Sequence, residues 1–130
     1  MIFADSSYFI AIAREKDRWH KDALRLAEKN KETLMISELV ISESVTMVGS
    51  HEGGKAGKIL YEYFVDNCTI EFINEEMMGK AVDTFLKYDG SISLADASSV
   101  EIMRKHRLKK IISFDSDFDK VHDIERIISV

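Results

Sequence analysis

Short apolar runs alternate with amphipathic stretches along the whole chain. Met1 to Ala4 reads as a short buried strand, followed by helical patterns through Arg14 and from about Asp17 to Lys29. "TLMIS" (Thr33 to Ser37) reads as a second strand, Glu38 to Val48 and Lys55 to Val65 as helices, and "TIEFI" (Thr69 to Ile73) as a third strand. Asn74 stands where an N-cap would open the helix "EEMMGKAVDTFLKY". Ser93 and Asp96 make a capping-box-like start to a helix ending near His106. Lys110 to Ser113 reads as strand four and "RIISV" (Arg126 to Val130) as strand five. This alternation predicts an α/β protein whose parallel sheet is covered on both faces. Strand one is expected at the centre, in the order 3-2-1-4-5. "GSHEGGKAG" (Gly49 to Gly57) reads as a linker between helices, and it lacks the GxxxxGK[ST] spacing of a phosphate loop.

Several acids break this pattern. In open α/β sheets, ligands bind beyond the carboxyl ends of the strands. Asp5 follows strand one and Asp115 follows strand four, so both carboxylates are expected to face one crevice. Glu43 shares a helix face with Leu39, Val40 and Met47, and Asp96 shares one with Val100 and Met103. A carboxylate on an apolar face is costly unless a cation or hydrogen bonds compensate it. Taken singly, each has an ordinary explanation: Asp5 and Asp115 could cap the segments after them, and Asp96 could complete a capping box. Glu38, Glu75, Glu76 and Glu101 read as plain helix-surface acids. Four acids reaching one sheet edge must be protonated or bind cations, and hard oxygen ligands suit magnesium or manganese.

Composition narrows the chemistry. The chain has 130 residues, 45% hydrophobic and 32% charged, which suits one domain spanning residues 1–130. A net charge of −5 argues against general nucleic-acid binding through a basic surface, so any such binding must use local basic patches or bound cations. The four histidines are scattered and no cysteine–histidine set exists for zinc. Cys68 is the single cysteine, which points to a reducing, cytoplasmic setting, and it reads as a strand-edge residue. The N-terminus lacks the basic start of a signal peptide, and no apolar run approaches the ~18 residues of a membrane span. "DSDFDK" resembles the opening of a calcium-binding EF-hand loop, but Lys120 stands where glycine is needed and Arg126 where a bidentate glutamate is needed.

The order of acids resembles the PIN-domain ribonucleases, particularly the small VapC-type toxins of toxin–antitoxin pairs. "IFADSSYFIAI" resembles the family's opening strand with its catalytic aspartate, here Asp5, followed by the hydroxyl residue Ser6. "ISELVISESVTMV" resembles the second motif, with Glu43. "SLADASSVEIMRKHRLKKIISFDSDF" resembles the third and fourth motifs, with Asp96 and Asp115. "DRWHKDAL" resembles the segment in which the histidine, here His20, is structural. The resemblance implies a three-layer α/β/α fold and a magnesium-dependent endoribonuclease, with manganese as a substitute ion. Asp5, Glu43, Asp96 and Asp115 would hold one or two ions, over which water attacks phosphorus. Asp117 could share the role of Asp115, and Ser113 could orient a carboxylate or a water. Basic residues must guide RNA past the acids. The candidates are Arg14, Lys16 and Arg18, and the run Arg104, Lys105, Arg107, Lys109 and Lys110, which could equally serve as a favourable helix C-terminus. A cognate antitoxin and a homodimer are the implied partners. Two other readings compete: a catalytically silent PIN-like module that binds RNA or a partner, and a phosphoacceptor receiver domain. The receiver domain would carry paired acids after strand one, which this chain lacks.

Overall fold

The computed structural model describes residues 1–129. Five parallel strands form one sheet: β1 (Ile2–Ala4), β2 (Leu34–Ser37), β3 (Cys68–Glu71), β4 (Lys110–Ile112) and β5 (Glu125–Ile127). Their order is β3-β2-β1-β4-β5, as expected, with β1 central. A receiver domain follows the flavodoxin-like order 2-1-3-4-5, so the topology removes that reading.

The helices are α1 (Ser6–Ala13), α2 (His20–Lys29), α3 (Glu38–Glu52), α4 (Gly54–Asn67), α5 (Glu75–Lys87) and α6 (Leu94–Lys105). The chain moves outward from β1 to β2 to β3, then crosses back to β4. Right-handed crossovers therefore put α1 to α4 on one face and α5 and α6 on the other. The central strands are buried throughout, which is why they read as apolar runs rather than alternating patterns. Phe3 of β1 and Ile111 of β4 are fully buried. Phe9 of α1 meets Phe64 of α4 edge to face, with ring centroids 4.7 Å apart.

Several boundaries differ from the sequence reading, each for a local reason. Helix α2 starts at His20 rather than Asp17. Asp17 instead organises a turn, its Oδ1 accepting from the Trp19 amide at 2.8 Å. The expected linker over 49–57 is mostly helix: α3 runs on to Glu52 and α4 begins at Gly54. Only Gly53 breaks the path, with φ +96°, a conformation glycine adopts without Cβ strain. Strand β3 ends at Glu71, and Phe72 beyond it is exposed. Strand β5 covers Glu125–Ile127 rather than Arg126 onward, and Val130 lies outside the described residues. Asn74 and Ser93 cap α5 and α6 as expected, accepting from the amides of Met77 and Asp96.

Gly57 marks where α3 and α4 cross. A Cβ there would stand 3.1 Å from the Val45 carbonyl oxygen and 3.4 Å from Gly49 Cα. Alanine would add up to about 1 kcal/mol of helix propensity. The clash is with backbone, which cannot rotate away, and overpacking costs about 1–3 kcal/mol. Gly57→Ala is expected to destabilise by about 1 kcal/mol in denaturant unfolding. Gly79→Ala, with nothing within 4 Å of the added carbon, is expected to stabilise; the reverse ranking would refute this account of the crossing.

Candidate metal-binding active site

The carboxyl ends of β1 and β4 lie side by side, with the Asp5 amide donating to the Ile112 carbonyl at 3.0 Å. Asp5 sits at the head of α1, yet its side chain makes no capping bond. It turns inward instead, only 6% exposed. Its Oδ2 accepts from Ser7 Oγ at 2.8 Å and from Ser113 Oγ at 2.9 Å. Both hydroxyls also accept: Ser7 from the Phe114 amide at 2.9 Å, Ser113 from the Asp115 amide at 3.0 Å. Two serines thus tie the buried acid after β1 to the loop after β4.

Asp115 caps the short 3₁₀ segment Ser116–Lys120, its Oδ1 accepting from the Asp117 amide at 2.9 Å. That turn brings Asp117 round beside it. Asp96, in the first turn of α6, approaches from the other face of the sheet. Carboxylate oxygens of Asp96, Asp115 and Asp117 all lie within 4.8 Å of one another. Glu43 stands farther out on α3 and accepts a hydrogen bond from Ser6 Oγ.

The electrostatics follow from this crowding. Burial pushes the Asp5 carboxyl up, the serine hydrogen bonds partly offset this, and the nearby Glu43 charge raises it further. Asp96 is pushed up to about 7, first by burial, then by the charges of Asp5 and Asp115. Among the described residues, no basic side chain stands at ion-pair distance from Asp5, Glu43, Asp96 or Asp115; Lys120 pairs with Asp117 at 3.0 Å. The donor set is therefore all carboxylate, mutually repelling and largely without internal cations. That chemistry fits a hard divalent cation.

The sequence model of the PIN domain matches residues 2–124. The chain belongs to the PIN-domain family. A curated PIN relative, the 23S rRNA-specific endonuclease VapC20 of Mycobacterium tuberculosis, is 26% identical over 127 residues, covering 96% of this chain and 97% of the relative. The crystal structure of M. tuberculosis VapC20, described as a sarcin–ricin loop cleaving toxin, superposes with a TM-score of 0.88 at 24% identity, covering 94% of this chain and 95% of that one. A toxin–antitoxin complex from Klebsiella pneumoniae gives 0.74 at 16% identity, with each chain fully covered. These superpositions show the PIN fold.

Within this PIN domain the anticipated residues divide by position. Asp5, Asp96, Asp115 and Ser113 converge at the strand ends, and Asp117 joins the tight group. Glu43 reaches the site's flank through Ser6, but not from an apolar stripe. The buried face of α3 is Val40, Ser44 and Val48, whereas Glu43 is exposed and Met47 is 38% exposed. Two supposed surface acids have structural partners. Glu38 accepts from the Ile73 amide at 2.9 Å, and Glu101 accepts from Arg104 at 2.8 Å. His20 is structural, its Nδ1 2.7 Å from the Ala11 carbonyl oxygen. Cys68 begins the edge strand β3, and burial pushes its thiol up to about 11, far from nucleophilic use.

The basic run does not line the acid crevice. Lys110 opens β4, at the strand end opposite Asp115, and Lys109 precedes it. Helix α6 carries Asp96 in its first turn but Arg104 and Lys105 in its last, some 12 Å away along the axis at 1.5 Å per residue. Arg104 is engaged by Asp123 and Glu101, and Lys105 by Glu71. Arg14, by contrast, lines a cavity together with Ser7 and Asp115. The sequence reading missed Ser7, the second hydroxyl on Asp5. Its one signal was a repeated serine directly after a strand-end acid, which a helix start explains just as well.

Proposed function

We propose that this PIN domain, a single unit spanning residues 1–130, is a metal-dependent endoribonuclease and the toxin of a VapBC-type pair. We propose magnesium as its ion, with manganese as a substitute. The observation that carries this reading is the group of Asp96, Asp115 and Asp117 at the sheet edge, backed by the buried Asp5. The activity named for the M. tuberculosis relative supports RNA as substrate. The Klebsiella structure, itself a toxin–antitoxin complex, supports an antitoxin partner. Homodimerisation and a cytoplasmic location belong to the same proposal; no helix among the described residues is long and apolar enough to cross a membrane.

In this mechanism Asp96, Asp115 and Asp117 would hold the ion, and Asp5 and Glu43 would add negative charge to the same site. When bound, the ion supplies an activated water and neutralises charge on the scissile phosphate. Asp96 must give up its proton to become a ligand. Ser7 and Ser113 keep Asp5 aimed between β1 and β4, and Ser113 also holds the amide that precedes the Asp115 side chain. Ser6 orients Glu43. No side chain serves as nucleophile.

Purified protein is expected to cut ribosomal or single-stranded RNA with magnesium and to stop on chelation. RNA that binds but is never cut under any divalent ion would favour the silent-module reading instead. Arg14 and Trp19 line the cavity beside Asp115, and Lys16 and Arg18 neighbour them in the chain, which gives a second expectation. Alanine at Lys16 and Arg18 should flatten the salt dependence of RNA binding by roughly one unit of slope per lost contact. Alanine at Lys109 and Lys110, on the far edge of the sheet, should leave it unchanged. If the Lys109 and Lys110 changes flatten the slope and the others do not, RNA approaches by the opposite edge.

A further inference from the structure

Beside the acid group lies a small open cavity of about 290 Å³, lined by Ile10, Arg14, Trp19, Met47 and Phe114 together with the acids Asp17 and Asp115. Its volume is at the lower limit of the ~300–1,000 Å³ typical of small-molecule clefts, enough for one planar ring system. Trp19 and Phe114 are stacked within it, their planes 3° apart and centroids 5.0 Å apart. Phe114 stands between Ser113, which holds Asp5, and Asp115 itself, so the aromatic wall is continuous with the acid loop. Arg18 lies over the Trp19 ring, 4.8 Å from its centroid. Arg14 contributes a buried Nε–H without a hydrogen-bond acceptor; its nearest carboxylate, on Glu52, is 3.7 Å away.

We infer that this cavity is a nucleobase subsite, which takes an unpaired base next to the phosphate being cut and stacks it on Trp19. The inference rests on the nuclease reading for the identity of the adjoining phosphate, and deepens it. Each wall suits a base. The aromatic pair is an offset stack, its centroids 5.0 Å apart, which leaves indole surface beside Phe114 on which a base of any sequence can stack. Ile10 and Met47 supply apolar contact to the ring edges. The Arg14 guanidinium offers donors to ring-nitrogen or carbonyl acceptors, as arginine does toward guanine. A duplex would bury its bases in the stack, so this subsite selects single-stranded or looped RNA.

Trp19 is the only tryptophan in the chain, so tryptophan fluorescence reports on a ring that lines this cavity. The probe is a short single-stranded oligoribonucleotide, added with magnesium to the Asp96→Asn protein. A companion series carries one abasic nucleotide walked along the same sequence. Intact RNA should quench Trp19. At one abasic position quenching should vanish and binding weaken about ten-fold or more. Equal quenching across the whole series, or binding without quenching, overturns the subsite. A second arm uses cleavage by otherwise wild-type protein. Trp19→Phe should cut intact RNA near the wild-type rate, and Trp19→Leu about ten-fold more slowly. RNA abasic at the identified position should be cut equally by wild type and Trp19→Leu. A variant that slows both substrates alike would make Trp19 a packing residue and overturn the proposal. Wild-type protein that cuts no RNA would refute the nuclease reading, while the fluorescence series still decides whether a base is bound.

Discussion

Asparagine at Asp5 or Asp96 is expected to lower magnesium-dependent RNA cleavage by about 100-fold or more, the scale seen when one charge-stabilising group leaves an active site. The same change should leave metal-free stability equal or higher. Asparagine preserves the shape of Asp5 and can still offer an oxygen to Ser7 and Ser113, whose hydroxyls stand 2.8 and 2.9 Å from Oδ2. It removes one charge from a cluster whose members repel. With magnesium the ranking should invert. Ligand at 100 times its Kd stabilises the native state by about 2.7 kcal/mol, so the wild-type melting temperature should rise while the variants barely respond. Asp115→Asn should lose activity to the same degree, because asparagine replaces aspartate as a cap but not as a charge. Asp119→Asn is the reference. Asp119 is exposed and pairs with Arg126 at 2.9 Å, and it should behave like wild type. Thermal melts with and without magnesium, run beside an RNA cleavage assay, give all of these readings. Full metal-dependent cleavage by Asp5→Asn would falsify the carboxylate mechanism.

Metal-free protein is expected to lose stability as pH rises from 5 to 8. Asp96 has a folded value of about 7 against 3.8 for an ordinary aspartate, so the native state holds a proton that the unfolded chain has already released. Stability therefore falls as pH climbs between those values and levels off above about 7. Asp5 is shifted the same way, by burial first, and adds to the slope. The acids shifted down, Glu71, Asp119 and Asp123, act at the acid end, since their stabilisation is lost only as pH falls below the ordinary carboxylate range. Asp96→Asn should flatten the profile between pH 5 and 8. Magnesium should flatten it too, because its ligands must be deprotonated, and its stabilising effect should grow from pH 6 to 8. Cleavage should rise across the same interval as Asp96 becomes ionised. Metal-free melts that improve toward pH 8, or an Asp96→Asn slope equal to that of wild type, would contradict the crowding described for this site.

Much of the architecture was legible in residue order because its causes are local or nearly so. Buried parallel strands must be short and apolar, and "MIFA", "TLMIS" and "KIIS" are. Asn74 and Ser93 cap their helices by bonds that span three residues. Crossover handedness then assigns the helices to the two faces once the strand order is given, and parallel strand direction alone brings Asp5 and Asp115 to one edge. Other features required the folded chain. The rotation of α3 is set by packing against α1 and α4, so Ser44 rather than Glu43 faces inward, and no periodicity in "ELVISESVTMV" distinguishes the two. Whether Asp117 joins Asp96 depends on a 3₁₀ turn and a helix arriving from the opposite face of the sheet. The hydroxyl pair on Asp5 joins residues more than a hundred positions apart in sequence. The role of the basic residues was likewise a matter of three-dimensional position. Lys109 and Lys110 stand close to Asp115 along the chain, but β4 lies between them and carries the acid to the opposite end of the sheet. Nothing in the sequence pairs Trp19 with Phe114, and only their meeting beside Asp115 makes a cavity. Sequence determined which groups were available and which strand ends would carry charge, because backbone periodicity and burial act over a few residues. Tertiary structure decided which of those groups share a site, because that depends on helix rotation and sheet direction, which long-range packing sets.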